Sequence, residues 1–327
     1  MKNFLITGAL GFIGSNFVNY MSSKYPEYKF VILDILDYCA SLDNVVKNNN
    51  VEIVIGDIAN NELVAYILRK FEIDTIVHLA AQSSVDASFF NSIQFTQTNA
   101  LGIHILLETA KIYNDETKRL EKFIHISTDE VYGEVNDNIA RCETDVLKAS
   151  NPYSSSKLAG EALVHGYYCS YKLPCIITRG NNVVGKNQYP EKLVPKFICD
   201  LFNNKPLTIH GNGSAKRNFI HVDDTCTAFE TILFKGEIGE IYNISSDHSN
   251  EYSVMEVTKM LVELIHPGED IEKYIKYVDD RHFNDCRYYI SSEKLEKLGW
   301  KPVKTDFKKE LIELVEWYKN NKSRYGF

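Results

Sequence analysis

Through the first half of this chain, short unbroken apolar runs alternate with longer stretches in which apolar residues recur every three or four positions. The runs at 2–7, 30–34, 51–56, 75–80, 123–127 and 175–179 are rich in Ile, Val, Leu and Phe and show little polar alternation. Parallel strands covered on both faces have that texture. Helical spacing fills 13–23, 62–71, 92–113 and 152–171 between them. Strand–helix alternation sustained to Arg179 predicts an α/β fold built on a doubly wound, Rossmann-like parallel sheet.

After Arg179 the texture changes. Loops rich in Gly, Asn and Pro appear, as at Gly180-Asn181-Asn182 and Gly211-Asn212-Gly213, with shorter elements between them. The division expected is a first domain over 1–179 and a smaller C-terminal α/β substrate-binding lobe over 180–327. Strands at 217–222 and 240–245 are expected to return toward the first domain. A last amphipathic helix over 307–318 carries Leu311, Leu314 and Val315 on one stripe.

Composition narrows the partners. A net charge of −8 and a pI near 5.7 argue against a nucleic-acid or anionic-membrane surface. The seven Cys form no C-x-x-C pair and are odd in number, which fits free thiols in a reducing compartment and no metal site. The first residues run directly into a strand, and no apolar run reaches the ~20 residues of a membrane span. A soluble cytoplasmic protein is the expectation.

Gly8, Gly11 and Gly14 follow the first strand and open the first helix, together with Phe12 and Ile13. Such a turn brings backbone N–H groups and a helix N-terminus to a pyrophosphate. Asp34 closes the second strand, 20 residues after Gly14. A carboxylate there would bind both ribose hydroxyls and repel a 2′-phosphate, so the cofactor expected is NAD. The plainer alternative for Asp34 is a turn or helix cap. Asp57 and Ile58, at the end of the third strand, would reach the adenine edge. Leu79-Ala80-Ala81, at the end of the fourth, would let a cofactor lie flat on the sheet.

Asn151-Pro152 reads as a helix start, with Asn at the N-cap and Pro at the first helical position. Tyr153 and Lys157 then share one face, a turn apart. A free Tyr has a pKa of ~10, and the Lys charge with the helix dipole would lower it toward a working base. Thr128-Asp129-Glu130 ends the fifth strand, at the edge where ligands bind in open α/β sheets. Two adjacent carboxylates in a cleft do not both ionise easily, which yields an acid and a base in one place. The alternative leaves both as solvated turn residues.

On these motifs the chain resembles the nucleotide-sugar 4,6-dehydratases of the extended short-chain dehydrogenase/reductase family. The resemblance spans nearly the whole chain. It includes the G-x-x-G-x-x-G turn, T-D-E-V-Y-G at 128–133, Y-x-x-x-K, Asn181-Asn182, the segment 190–195, Gly211-Asn212-Gly213 and the stretch 281–288. It implies that Tyr153 takes the proton of the glucose C4 hydroxyl, held by Thr128, as hydride passes to NAD. Glu130 then removes the C5 proton, Asp129 protonates the departing C6 hydroxyl, the hydride returns to C6 and C5 is reprotonated. Ile35, Thr98, Asn182 and the Tyr153–Lys157 pair complete the cofactor contacts it implies. Ser83, Asn181, Lys192, Leu193, His210, Arg217, Asn243 and Arg281 are the implied substrate contacts, with the two Arg on the diphosphate.

His210 replaces the Tyr usual in dTDP-glucose enzymes, and Arg281-His282-Phe283-Asn284-Asp285-Cys286-Arg287-Tyr288 replaces their R-P-G-H-D-R-R-Y. Both look closer to UDP-glucose 4,6-dehydratases, the first step toward UDP-rhamnose. UDP-glucose is therefore the leading substrate, dTDP-glucose the rival, 4-epimerisation of a UDP-hexose a third reading and a non-enzymatic nucleotide sensor a fourth. Ser84 stands where the family commonly has His. Helices 92–113 and 152–171 resemble those that pair two subunits, so a homodimer is implied. His78 and His125 read as sheet histidines and His221 as a helix cap.

Overall fold

A computed structural model of the chain describes residues 1–279 and 285–325. In chain order its elements are β1 (Asn3–Thr7), α1 (Phe12–Lys24), β2 (Lys29–Asp34), β3 (Val51–Ile55), α2 (Asn61–Lys70), β4 (Thr75–His78), α3 (Val85–Phe90), α4 (Ser92–Thr96), a π-turn (Gln97–Gly102) and α5 (Ile103–Thr117). They continue with β5 (Lys122–Thr128), a 3₁₀ turn (Asp129–Tyr132), α6 (Pro152–Tyr171), β6 (Cys175–Gly180), β7 (Asn182–Val184), α7 (Leu193–Phe202), β8 (Leu207–His210), β9 (Lys216–His221), α8 (Val222–Lys235), β10 (Ile241–Ile244), β11 (Glu251–Ser253), α9 (Val254–Ile265), β12 (Ile275–Val278), α10 (Glu293–Glu296) and α11 (Phe307–Asn320).

Seven strands form one parallel sheet in the order β10-β6-β5-β4-β1-β2-β3. The order reverses between β1 and β4, and the carboxyl ends there open the crevice in which such sheets bind ligands. Both faces are covered, which is why the strands read as unbroken apolar runs. Phe17, Val18 and Met21 of α1 pack with Phe229 and Ile232 of α8 on one face. Val64 and Ile67 of α2, Leu106 and Ala110 of α5, and Val164 of α6 cover the other.

β10 adds to this sheet beside β6. β9, expected to return with it, pairs instead with β7 and β11 in a separate small sheet, and the helix that follows it, α8, carries the chain back onto α1. The start of β9, Lys216 and Arg217, is polar and partly exposed, which suits an outer sheet better than a site covered on both faces. A third core joins α7, α9 and α11 through Phe197, Leu261, Leu311 and Leu314.

The predicted helix 92–113 is broken into α4, the π-turn and α5. The wide turn brings Asn99 inward, where its amide bonds both the N–H and the carbonyl of Gln82 and donates to Ser156 Oγ, each at 2.9 Å. Asn151 caps α6 in a reciprocal capping box with Ser154, and Pro152 holds the first helical position. His221 caps α8, accepting from the Asp223 N–H at 3.1 Å. Among the described residues no helix is long and apolar enough to cross a membrane.

Candidate active site

β1 hands over to α1 through a turn with no room for a side chain at Gly8 or Gly14. Gly8 has φ of 70°, and a Cβ there would lie 2.6 Å from the Ala80 backbone. A Cβ on Gly14 would lie 2.6 Å from Ala9 Cα. Gly11 is the N-cap and supplies no side chain, so the first-turn N–H groups of α1 keep no side-chain acceptor. Gly8, Gly11, Phe12, Ile13 and Gly14 line a cavity of about 750 Å³ along the carboxyl edge of the sheet.

Asp34 lies against the same cavity and is only 6 % exposed. Its Oδ2 accepts from the Leu10 N–H and its Oδ1 from the Leu36 N–H, both at 2.8 Å. The turn role weighed in the sequence is therefore real, while no helix is capped by Asp34. It leaves lone pairs on both oxygens for a further donor. Burial holds its carboxyl above the usual range. Ile35, Asp57, Ile58, Leu79, Ala80, Ala81, Thr98 and Asn182 also line the cavity. An anion-seeking helix end, a buried carboxylate one strand over and an apolar floor fit a dinucleotide with free ribose hydroxyls.

The proton-transfer candidates meet at the far end. Thr128 closes β5, and the 3₁₀ turn presents Asp129 and Glu130 to the cavity, with Tyr153 and Lys157 opposite on the first turns of α6. Asp129 is 3 % exposed; it accepts from Asn181 Nδ2 at 2.8 Å and from Thr128 Oγ at 3.3 Å. Burial, reinforced by the Glu130 charge and opposed by the Asn181 bond, pushes its pKa up to about 7. Glu130 is half-buried, and its Oε2 accepts from Asn151 Nδ2 at 3.1 Å and from the Tyr288 hydroxyl at 3.2 Å. The two adjacent carboxyls thus sit in unlike environments.

Lys157 is buried, donates to the Ile126 carbonyl at 2.7 Å, and has its pKa lowered to about 8 by burial. Tyr153 departs from expectation: its phenol is held above its ordinary pKa. Burial is the main cause, and the charges of Glu130 and Asp129 add to it, against a hydrogen bond with Thr128. The Lys157 ammonium points at a carbonyl instead of at the phenol, so the expected lowering is not built into the chain alone. His78 and His125 stack at 5.4 Å on neighbouring strands beneath this pair. Burial, and after it the Lys157 charge, depresses both imidazoles, consistent with neutral sheet residues.

Ser83, Asn181, Lys192 and Leu193 line the cavity as anticipated, and Lys192 Nζ donates to the Ser83 carbonyl at 2.6 Å. Three other substrate candidates do not reach it. His210 lies on β8 against Val278 of β12. Arg217 stands one ring away: its guanidinium lies 4.7 Å over Tyr288, whose hydroxyl bonds Glu130. Asn243 is fully buried; it accepts from the Tyr132 hydroxyl at 2.8 Å and donates to the Arg141 carbonyl at 3.1 Å, so its amide is committed inside the fold. Arg281 lies outside the described residues, as do its neighbours His282, Phe283 and Asn284. Ser84 caps α3, accepting from the Ala87 N–H.

Sequence reasoning passed over Asp37, Tyr38, Gln82 and Glu191, which also line the cavity. Gln82 Nε2 donates to Asp37 at 2.9 Å, and Tyr38 donates to Glu191 at 2.5 Å across the cavity mouth. The nearness of Asp37 and Tyr38 to Asp34, of Gln82 to Ala81 and Ser83, and of Glu191 to Lys192 in the chain was the available signal.

Sheet order, glycine turn and a Tyr–Lys helix facing a carboxylate pair define an extended short-chain dehydrogenase/reductase. The chain belongs to the GDP-mannose 4,6 dehydratase family, whose family model matches residues 5–314. It is 46 % identical over 330 residues to a trifunctional UDP-glucose 4,6-dehydratase/UDP-4-keto-6-deoxy-D-glucose 3,5-epimerase/UDP-4-keto-L-rhamnose-reductase of Arabidopsis thaliana, covering 99 % of this chain and 48 % of that protein. It therefore spans about half the length of that relative. A dTDP-D-glucose 4,6-dehydratase of Dictyostelium discoideum is 42 % identical, over 99 % of this chain and 83 % of its own. The crystal structure of dTDP-glucose 4,6-dehydratase from Bacillus anthracis in complex with NAD superposes with a TM-score of 0.89 at 38 % identity, covering 99 % of each chain.

Proposed function

We propose that this chain is an NAD-dependent nucleotide-sugar 4,6-dehydratase that converts UDP-glucose to UDP-4-keto-6-deoxyglucose and water. The observation that carries the reading is the carboxyl pair beside the phenol: a deeply buried Asp129 with its pKa near 7, next to a half-buried Glu130, both facing Tyr153 in one cavity. A 4-epimerase needs the Tyr–Lys pair and has no task for two further carboxyls, and a nucleotide sensor needs none of the four.

Gly8–Gly14 and Asp34 would hold NAD, which when bound supplies a hydride acceptor at C4 and a donor at C6. The residues of the chain move the protons. Tyr153 takes the C4 hydroxyl proton, with Thr128 holding that oxygen. In a site that raises its pKa, Tyr153 needs positive charge at hand, and Lys157 carries one at neutral pH. Glu130 removes the C5 proton made acidic by the 4-ketone, and C5 is reprotonated once C6 has taken the hydride. Asp129, protonated, gives its proton to the C6 hydroxyl as it leaves as water. The cavity keeps this sequence away from bulk water.

The preference for uracil over thymine is supported by 46 % identity to the Arabidopsis relative and by the resemblance of the sequence at 281–288. dTDP-glucose is the second reading, favoured by the Dictyostelium and Bacillus relatives. Exposed Phe90, Ile93 and Ile112 along α3 to α5 support a homodimer. An odd number of cysteines with no C-x-x-C pair supports a reducing compartment such as the cytoplasm. Incubating the purified protein with each sugar nucleotide and reading the keto sugar by its absorbance in alkali tests the reading. Product from UDP-glucose in excess over dTDP-glucose is expected, and no keto product from either would end it.

A further inference from the structure

One buried guanidinium touches every element that builds the proton-transfer site. Arg179 lies on β6, and its side chain is 3 % exposed. Its Nη2 donates to Glu161 Oε2 at 2.7 Å, and its Nε reaches both Glu161 oxygens at 3.1 and 3.2 Å. Glu161 stands on α6, one turn beyond Lys157 and two beyond Tyr153, and is 4 % exposed. On its other side, Arg179 Nη1 donates at 2.8 Å to the hydroxyl of Tyr132, the last residue of the turn that carries Asp129 and Glu130. Tyr132 passes the chain on to Asn243 of β10 at 2.8 Å. At the end of Arg179's own strand, Asn181 holds Asp129. A buried ion pair is a poor source of stability, since an apolar pair of the same volume does as well or better. Fixing one geometry among several is the use such a pair does serve.

We propose that Arg179 and Glu161 are positioning residues, a buried fork that sets the Tyr153–Lys157 face of α6 against the Asp129–Glu130 turn. Neither side chain lines the cavity, so both act through their partners. Glu161 has a second effect. His78 on β4 and His125 on β5 face Lys157 as neutral imidazoles, and Tyr153 on its own helix is a neutral phenol. That leaves Glu161 as the negative charge that favours the ammonium.

The inference rests on the dehydratase reading. Its test is the double variant Arg179→Met/Glu161→Leu, which replaces the pair by apolar side chains, read beside Glu161→Gln and Arg179→Lys. Oxidation at C4 is followed as the burst of reduced-cofactor absorbance on mixing NAD-loaded protein with UDP-glucose, because that burst does not depend on the water loss assigned to Asp129. The folded double variant is expected to lose about 100-fold in burst rate, the scale on which a misplacement near 1 Å acts, with KM for the sugar nucleotide unchanged within about twofold. Arg179→Lys keeps the charge and loses the fork, so a smaller loss is expected. Glu161→Gln should shift the basic limb of the burst rate to lower pH. A folded double variant with native burst rate, or an unshifted limb in Glu161→Gln, overturns the proposal. Failure of all three variants to fold also overturns it, by assigning the pair to stability alone. A wild-type protein inactive on both sugar nucleotides sinks the dehydratase reading instead, so the two failures are told apart.

Discussion

Replacing Asp129 by Asn separates stability from chemistry at one atom. The carboxyl is buried, and its pKa rises from an ordinary 3.8 to about 7. The folded protein therefore keeps a proton that the unfolded chain has released. Stability contributed by this group is full below the unfolded pKa and is lost as pH rises from there through about 7. At pH 8 that penalty is of the order of 4 kcal/mol. An amide of the same shape cannot ionise, so Asp129→Asn should raise the melting temperature at pH 8 by several degrees and change it little at pH 4. The same substitution removes the acid for the departing C6 hydroxyl, a loss of about 10²–10⁴ in turnover. C4 oxidation should survive, and the reduced cofactor should accumulate on adding UDP-glucose, visible in its absorbance. In the native protein, water loss should decline as pH rises through about 7. C4 oxidation should hold until about 8, where Lys157 discharges. Thermal melts at the two pH values, beside stopped-flow absorbance, check all of this. A variant that melts lower at pH 8, or that yields keto-deoxy product at the native rate, refutes the reasoning.

Glu130→Gln should likewise halt the reaction after C4 oxidation, but without the stability gain, because Glu130 is only half-buried and has two donors, Asn151 and Tyr288, facing it; quench-flow mass analysis showing C5–H exchange with solvent at the native rate would contradict its role. Asp34→Ala should weaken NAD binding roughly tenfold or more by removing a buried acceptor, measured by calorimetry, and unchanged affinity would speak against the ribose contact. Asn151→Ala should cost about 1 kcal/mol through the lost cap and should also slow water loss through the freed Glu130; a melting shift with unaltered kinetics would limit Asn151 to capping. Phe90→Glu/Ile93→Glu should convert a dimer to monomer in light scattering, and an unaltered mass would place the interface elsewhere.

Much of the sheet was legible because its chemistry is local. A strand covered on both faces must be apolar throughout, and a turn position without room for a Cβ must be glycine, so the inner strands β1, β2, β4, β5 and β6 and the glycines at 8 and 14 declare themselves. Asn151-Pro152 announces α6 for the same reason. What escaped depends on neighbours distant in the chain. The period of apolar residues does not reveal that Asn99 turns inward to grip Gln82. The polar start of β9 says that it avoids a doubly covered position, but not which strands take it. Asn243 was a ligand only by resemblance; the partners that hold it inside the fold, Tyr132 and Arg141, lie about a hundred positions earlier, beyond the reach of a local reading. The direction of the Tyr153 shift depends first on how deeply the fold buries the phenol and then on the carboxyls it faces, which only the fold decides.

The wide turn at Gln97–Gly102 sits where α6 crosses closest: a Cβ on Gly160 would lie 2.7 Å from the Asn99 carbonyl. In an ordinary helix each residue advances the face by about a hundred degrees, and a π-turn holds one residue more than that count allows. Deleting a single residue here would restore a regular helical turn and withdraw Asn99 from its inward position, breaking its bonds to Gln82 and Ser156. This segment is therefore closed to the loss of a residue, so in relatives of this chain that keep Asn99 and Gln82, deletions should fall on either side of it.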